Sequence, residues 1–146
     1  TLALWEEVKR QEKHQETYTD AMNGVAKSLP ALIYAEKIQS RAKRSGFDWP
    51  TVQGALDKLR EEACELEQAI AQNGNVEDEL GDVLFAAVNV SRKLSVDPEG
   101  ALVGAAKKFM TRFAAMERMA GDKLSDLSLT EMEALWQRAK EENKQA

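Results

Sequence analysis

Two short runs hold most of the residues able to do chemistry: Glu61-Glu62-Ala63-Cys64-Glu65 and, beyond Asn73-Gly74, Glu79-Leu80-Gly81-Asp82. On a helix advancing about 100° per residue, Glu62 and Glu65 lie about 80° and 140° from the centre of the apolar stripe Val52, Leu56, Leu59, Ala63, Leu66 and Ile70. Glu79 and Asp82 lie about 80° and 140°, in the same sense, from the stripe of Leu80, Val83, Leu84, Ala87 and Val88. Two helices joined by so short a loop should pack antiparallel, which brings the four carboxylates together beside the core. Converging carboxylates repel one another unless a cation neutralises them. Oxygen donors without His or Cys suit Mg²⁺, and also Mn²⁺. Gly81 costs a helix interior roughly 1 kcal/mol against Ala, and would let a ligand or another backbone come close. Asn89, seven residues after Asp82, sits about two turns along the same face, where an amide can orient water, ligand or substrate. A lone Glu-Glu-x-x-Glu is ordinarily a solvated helix face. The second acidic pair at a matching offset, Gly81 and Asn89 together favour a site.

Opposite charge comes later in the chain. Lys108 and Arg112 are i and i+4, a like-charge pair that disfavours an isolated helix unless an anion lies between them. Beside a metal–carboxylate cluster such a pair suits a polyphosphate. Trp136 and Lys140 repeat the spacing. Trp136 is either a core aromatic or a flat platform for a nucleobase, with Lys140 one turn away for a phosphate or carbonyl.

Composition narrows the alternatives. Twenty Lys and Arg against 25 Asp and Glu leave a net charge of -5, which argues against a nucleic-acid or anionic-membrane partner. Cys64 is the single cysteine and His14 the single histidine, so a His/Cys zinc site lacks ligands, and a Cys–His nucleophile would need these two to meet. A lone cysteine and no apolar run of about 20 residues point to a reducing, cytoplasmic setting.

The elements that must carry these residues are helices. With three prolines, eight glycines and no β-branched runs, period-3.6 patterning dominates. Residues 2–16 begin helix-like, and Thr17 to Ser28 read as a linker. Helices are expected from Ala31 to Arg44, stopped at Gly46; from around Asp48, Pro50 and Thr51 to about Gln72, ended by Asn73-Gly74; from about Val76 to Leu94; and from Asp97-Pro98-Glu99 to about Ala120. The last of these carries the stripe Leu102, Ala106, Phe109, Phe113 and Met116. A final helix follows the Ser128/Glu131 capping-box spacing. The fold expected is all-α: a four-helix bundle-like core with an additional C-terminal helix. Ala3-Leu4-Trp5-Glu6-Glu7-Val8-Lys9 echoes Ala134-Leu135-Trp136-Gln137-Arg138-Ala139-Lys140. The echo is either a chance match between charge-rich helices or the tail of a preceding domain copy; residues 1–27 are expected to form a helix and linker arm, and residues 28–146 the domain proper.

These residues resemble the MazG nucleoside triphosphate pyrophosphohydrolases of the all-α NTP pyrophosphatase superfamily. The acidic signature Glu-Glu-x-x-Glu, spacer, Glu-x-x-Asp is matched by Glu61-Glu62-x-x-Glu65 and Glu79-x-x-Asp82. Leu29-Pro30-Ala31-Leu32, Gly46-Phe47-Asp48-Trp49, Phe85-Ala86-Ala87-Val88-Asn89, Lys108-Phe109-x-x-Arg112-Phe113 and Glu131-Met132-Glu133-Ala134-Leu135-Trp136 also match, in order, from about Ser28 to Lys140. The resemblance implies Mg²⁺-dependent hydrolysis of NTPs to NMP and pyrophosphate, commonly by a homodimer. Glu62, Glu65, Glu79 and Asp82 then correspond to metal ligands, Lys108 and Arg112 to phosphate-binding positions, and Trp136 and Lys140 to nucleotide contacts. Water would attack the α-phosphorus, with Glu61 or Glu65 taking its proton. Two rivals share most of these features: a sister enzyme acting on dUTP, dCTP or phosphoribosyl-ATP, and a non-catalytic helical interaction module, which would have no use for the acidic convergence.

Overall fold

A computed structural model of the chain describes residues 1–12 and 16–145. His14 lies outside them. Among the described residues the chain is all-α and contains no strand. Its helices are α1 (Leu2–Glu12), α2 (Tyr18–Asn23), α3 (Ala31–Lys43), α4 (Val52–Ala71), α5 (Val76–Lys93), α6 (Pro98–Ala120) and α7 (Leu129–Gln145), with a 3₁₀ turn at Gly121–Asp126. They fall into two compact units, Thr1–Glu99 and Gly100–Ala146.

Local signals explain most of the boundaries. The α3 C-terminus reaches Gly46, whose φ of 93° is open to glycine, and the Gly46 N–H bonds the Lys43 carbonyl at 2.8 Å. Thr51 caps α4 by accepting from the Gly54 N–H at 3.0 Å. At its far end Asn73, not Gly74, adopts the left-handed conformation, with φ 53°. This lets the Gly74 N–H return to the Ala69 carbonyl at 2.8 Å. Asn75 then caps α5 through the Asp78 N–H at 3.1 Å, and Asp97 accepts from the Glu99 N–H at 3.1 Å as α6 begins. The Ser128/Glu131 capping box forms in both directions at 3.1 Å.

One segment departs from expectation. Thr17 to Ser28, read as a linker, contains α2, nucleated by a reciprocal capping box between Thr17 and Asp20 with both bonds at 3.0 Å. The helix is too short to show a stripe. Ala21 and Val25 are nevertheless buried, and α2 packs against α3.

Within Thr1–Glu99, α4 and α5 pair as an antiparallel hairpin and α3 packs on α5. The buried apolar residues of α4 and α5 are small: Ala55, Ala86 and Val88, of which Val88 is the largest fully buried side chain. Gln39 on α3 is also buried, and its Nε2 donates to the Phe85 carbonyl of α5 at 2.9 Å. Leu80 and Leu84, expected to point inward, are 46% and 54% exposed. The apolar band on α5 is wider than the surface its neighbours cover.

The loop after α3 is fastened to α5 by charge. The Asp48 carboxylate meets the Arg92 guanidinium in a two-pronged ion pair, and Lys93 Nζ lies 3.3 Å from Asp48 Oδ2. The hydrogen bond from Arg92 lowers the Asp48 pKa to about 2, against the opposing effect of burial and with help from Lys93. In Gly100–Ala146, side chains bridge α6 and α7. Arg118 bonds Glu142 at 2.7 Å, and the Phe109 and Trp136 rings lie 5.3 Å apart between centroids.

Because the folded Asp48 pKa of about 2 lies below the ordinary 3.8, the pair's stabilisation is complete above pH ~4 and is lost as pH falls towards 2. Asp48→Asn should therefore remove on the order of 2 kcal/mol at neutral pH and flatten the loss of stability between pH ~4 and ~2. Urea denaturation across a pH series checks this. An unchanged acid limb in the variant would show that Asp48 does not anchor the loop.

Candidate active site

The acidic cluster is assembled by the α4–α5 hairpin. Glu62 and Glu65 sit one turn apart on α4 and face Glu79 in the first turn of α5. Carboxylate oxygens of these three residues lie within 4.8 Å of one another. A second group, Asp78, Glu79 and Asp82, converges to the same limit on α5. Glu79 belongs to both, so it joins the buried side of the cluster to its open side. The four residues singled out by spacing, with Asp78 as a fifth, are thus arranged as two overlapping triads, with Glu62 and Glu65 at one end and Asp82 at the other.

Burial grades across the cluster. Glu62 is only 7% exposed, Glu65 and Glu79 are half-buried, and Asp82 and Asp78 face solvent. Glu62 Oε2 and Glu79 Oε2 are both shut away from solvent without a hydrogen-bond partner. Charge repulsion from Glu62, then burial, raises the Glu65 pKa above its ordinary value, and Glu79 adds to the effect. Buried carboxylate oxygens lacking donors are what a hard divalent cation satisfies. The donor set, all oxygen with neither His nor Cys, fits Mg²⁺ or Mn²⁺. Cys64 lies on the same helix but is exposed and reduced.

Sequence reasoning missed Lys58. Its ammonium lies 3.1 Å from Glu62 Oε1 and 3.3 Å from Glu61 Oε1, and these bonds, Glu62's first, raise its pKa. Its i, i+4 spacing to Glu62 was the available signal. The other acid missed was Asp78, which reads in sequence as one of three acids favouring the start of α5. Glu61 is exposed and reaches Lys58 alongside Glu62. At Gly81 an added Cβ would meet nothing within 4 Å, so no neighbouring group in the chain requires glycine there.

Asn89 stands apart from the acids, further along α5. Its Oδ1 accepts from Arg92 Nη2 at 2.9 Å, and it lines a cavity together with Phe47, Trp49 and Phe85. Lys108, Arg112 and Lys140 belong to the second unit, where with Thr111, Asn143 and Lys144 they line a concavity of about 440 Å³. Arg112 Nε is buried there without a partner. A cationic hollow of this kind suits an anion. Trp136 packs at 5.3 Å on Phe109, which itself stacks on Phe113 at 6.0 Å, so its ring is part of an aromatic row.

Over 146 aligned residues, 95% of the chain, the protein is 40% identical to the nucleoside triphosphate pyrophosphohydrolase of Escherichia coli K12. It is 39% identical over 93% of the chain to the nucleoside triphosphate pyrophosphohydrolase/pyrophosphatase MazG of Thermotoga maritima. It is also 38% identical to the uncharacterized protein YabN of Bacillus subtilis, covering 30% of that protein. The chain spans about half the length of the first two relatives, 56% and 54%. Residues 51–115 match the MazG nucleotide pyrophosphohydrolase domain, a span that contains both acidic runs, Asn89, Lys108 and Arg112. By that match and those relatives, residues 51–115 carry a MazG nucleotide pyrophosphohydrolase domain.

Proposed function

We propose that the protein hydrolyses nucleoside triphosphates to nucleoside monophosphate and pyrophosphate, using Mg²⁺ held by Glu62, Glu65, Glu79 and Asp82. The observation that carries this reading is the convergence of Glu62, Glu65 and Glu79 from two helices, with two of their oxygens buried and unpartnered. Both named relatives quoted above are nucleoside triphosphate pyrophosphohydrolases, which supports the same substrate class. When bound, the cation supplies charge neutralisation at the phosphate oxygens. The chain's own groups do the rest. Glu61 or Glu65 takes the proton of a water attacking the α-phosphorus, so that pyrophosphate leaves intact. Lys108 and Arg112 hold the triphosphate, and Trp136 and Lys140 contact the nucleotide. No nucleophilic side chain is needed.

We further propose a homodimer. Val76, Leu80 and Leu84 repeat every four residues along α5 and remain 39%, 46% and 54% exposed. Covering such a band at roughly 25 cal/mol per Å² provides a driving force for two-fold association.

Pyrophosphate release measured with Mg²⁺ across the eight common NTPs and dNTPs tests the reaction. Turnover of several substrates is expected, while confinement to dUTP or dCTP would indicate the sister activity and silence on all eight a binding module. Glu62→Ala and Asp82→Ala should each lower turnover by on the order of 10²–10³-fold with the helical fold intact. Near wild-type turnover in either would remove that residue from the site.

Gly81→Ala separates folding from function at one position. Open space around the missing Cβ predicts a gain of roughly 0.5–1 kcal/mol in helix stability. Close approach of a ligand between Glu79 and Asp82 predicts a simultaneous loss of activity. A variant that is both more stable and fully active would show that no ligand comes near this backbone.

Sedimentation at micromolar concentration addresses assembly: a species of twice the 16.3 kDa chain mass is expected. A fully active monomer would rule the dimer out.

A further inference from the structure

A cavity of about 460 Å³ lies within the Thr1–Glu99 unit, bounded by α2, α3, the turn carrying Phe47 and Trp49, and α5. Its walls are aromatic and its polar groups are fixed in direction. Gln39 is 5% exposed, and its Nε2 is committed to the Phe85 carbonyl at 2.9 Å. A carbonyl can only accept, so the amide cannot be turned round, and Gln39 Oε1 is left buried without a donor. Asn89 is fixed the same way from the other side. Arg92 can only donate, so Asn89 Oδ1 faces it and the amide NH₂ is the end left for a ligand. Arg92 is itself held by Asp48. The cavity therefore offers one oriented acceptor and one oriented donor beside flat rings, and Phe47 is 82% exposed with its face uncovered.

We infer that this cavity binds the nucleobase of the substrate, with Gln39 Oε1 accepting a hydrogen bond from an exocyclic amine or ring N–H on the base edge. The assignment rests on the nucleotide reading above and adds the specificity-determining residue to it. An acceptor and a donor lining one cavity suit the paired donor and acceptor that every common base presents on an edge. The rings supply stacking, which any base satisfies. Position agrees as well. Phe85 and Asn89 lie three and seven residues beyond Asp82 on α5, about 4.5 and 10.5 Å of helix rise. That is the range over which a ribose separates a base from its first phosphate. A buried, unpaired carboxamide oxygen is poor surface for a protein partner but discriminates strongly between small ligands that do and do not supply its missing donor.

Calorimetric titration of the full chain in Mg²⁺ with AMP, purine riboside monophosphate and ribose 5-phosphate tests the inference without requiring turnover. Purine riboside monophosphate differs from AMP only in lacking the exocyclic amine. AMP should bind about 10- to 100-fold more tightly than the purine analogue, and ribose 5-phosphate most weakly. Gln39→Leu should abolish the difference between AMP and the analogue. Phe47→Ala, which truncates an exposed side chain and spares the fold, should weaken both to the level of ribose 5-phosphate. Equal binding of AMP and ribose 5-phosphate overturns the inference, as does a preference for AMP that survives Gln39→Leu. So does absent AMP binding combined with a Phe47→Ala shift to monomer, which would mean that a second copy covers the cavity. Gln39-dependent AMP binding without pyrophosphate release from any NTP would sink the hydrolase reading and leave the base cavity standing. Pyrophosphate release with no AMP preference would do the reverse.

Discussion

Two carboxylate oxygens, Glu62 Oε2 and Glu79 Oε2, are withdrawn from water with no donor to bond, and they come from helices that pack directly on each other. Leaving a charged acceptor in that condition costs more than a typical hydrogen bond returns, and placing a third carboxylate within 4.8 Å of both compounds the repulsion. Lys58 relieves part of this through Glu62 Oε1. It leaves the other oxygen of Glu62 unmatched, so the hairpin holds a net negative cluster whose exposed side carries Asp78 and Asp82. The α4–α5 pairing is what sustains this arrangement. The caps at Thr51 and Asn75 and the reversal at Asn73 fix where the two helices start and turn, and hence which carboxylates face each other.

Much of this was legible because it depends on local rules. The angular offsets of Glu62, Glu65, Glu79 and Asp82 follow from helix geometry, and a short connection leaves little choice but an antiparallel pair. The caps at Asp97 and Ser128 were likewise readable from side-chain chemistry. What escaped was whatever depends on one residue's neighbours across the fold. α2 has too few residues for a periodic stripe, so only its Thr17/Asp20 box announced it. The stop after α4 falls at the Asn73-Gly74 pair, and of the two it is Asn73 that takes the left-handed position, which its short polar side chain tolerates. Lys58 was hidden in plain sight, since a lysine beside a run of glutamates ordinarily reads as surface balance.

Gln39 shows the same limit more sharply. In sequence it is one polar residue on the helix following Pro30, and nothing in its spacing marks it. Burial and a fixed bond to α5 give it meaning, and these depend on how α3 lies across the hairpin. In sequence Asp48 marked a helix start and part of a matching stretch, yet its pairing with Arg92 and Lys93 ties the Phe47–Trp49 turn to α5 and orients Asn89 through Arg92. One ion-pair cluster therefore supports both the position of a loop and the direction of an amide 41 residues away in sequence.

The small core and the exposed apolar surface have one origin. Bringing carboxylates from two helices to within 4.8 Å requires the helices to run close, and interaxial distance follows the size of the side chains between them. Ala55, Ala86 and Val88 are the buried apolar residues of these two helices, and small side chains permit a close approach. Leu80, Leu84 and Ile70 remain 46%, 54% and 60% exposed. Larger residues between α4 and α5 would bury more area but spread the helices and disperse the acids. The geometry that gathers the charge thus also sets how much apolar surface the hairpin leaves for other surfaces to cover.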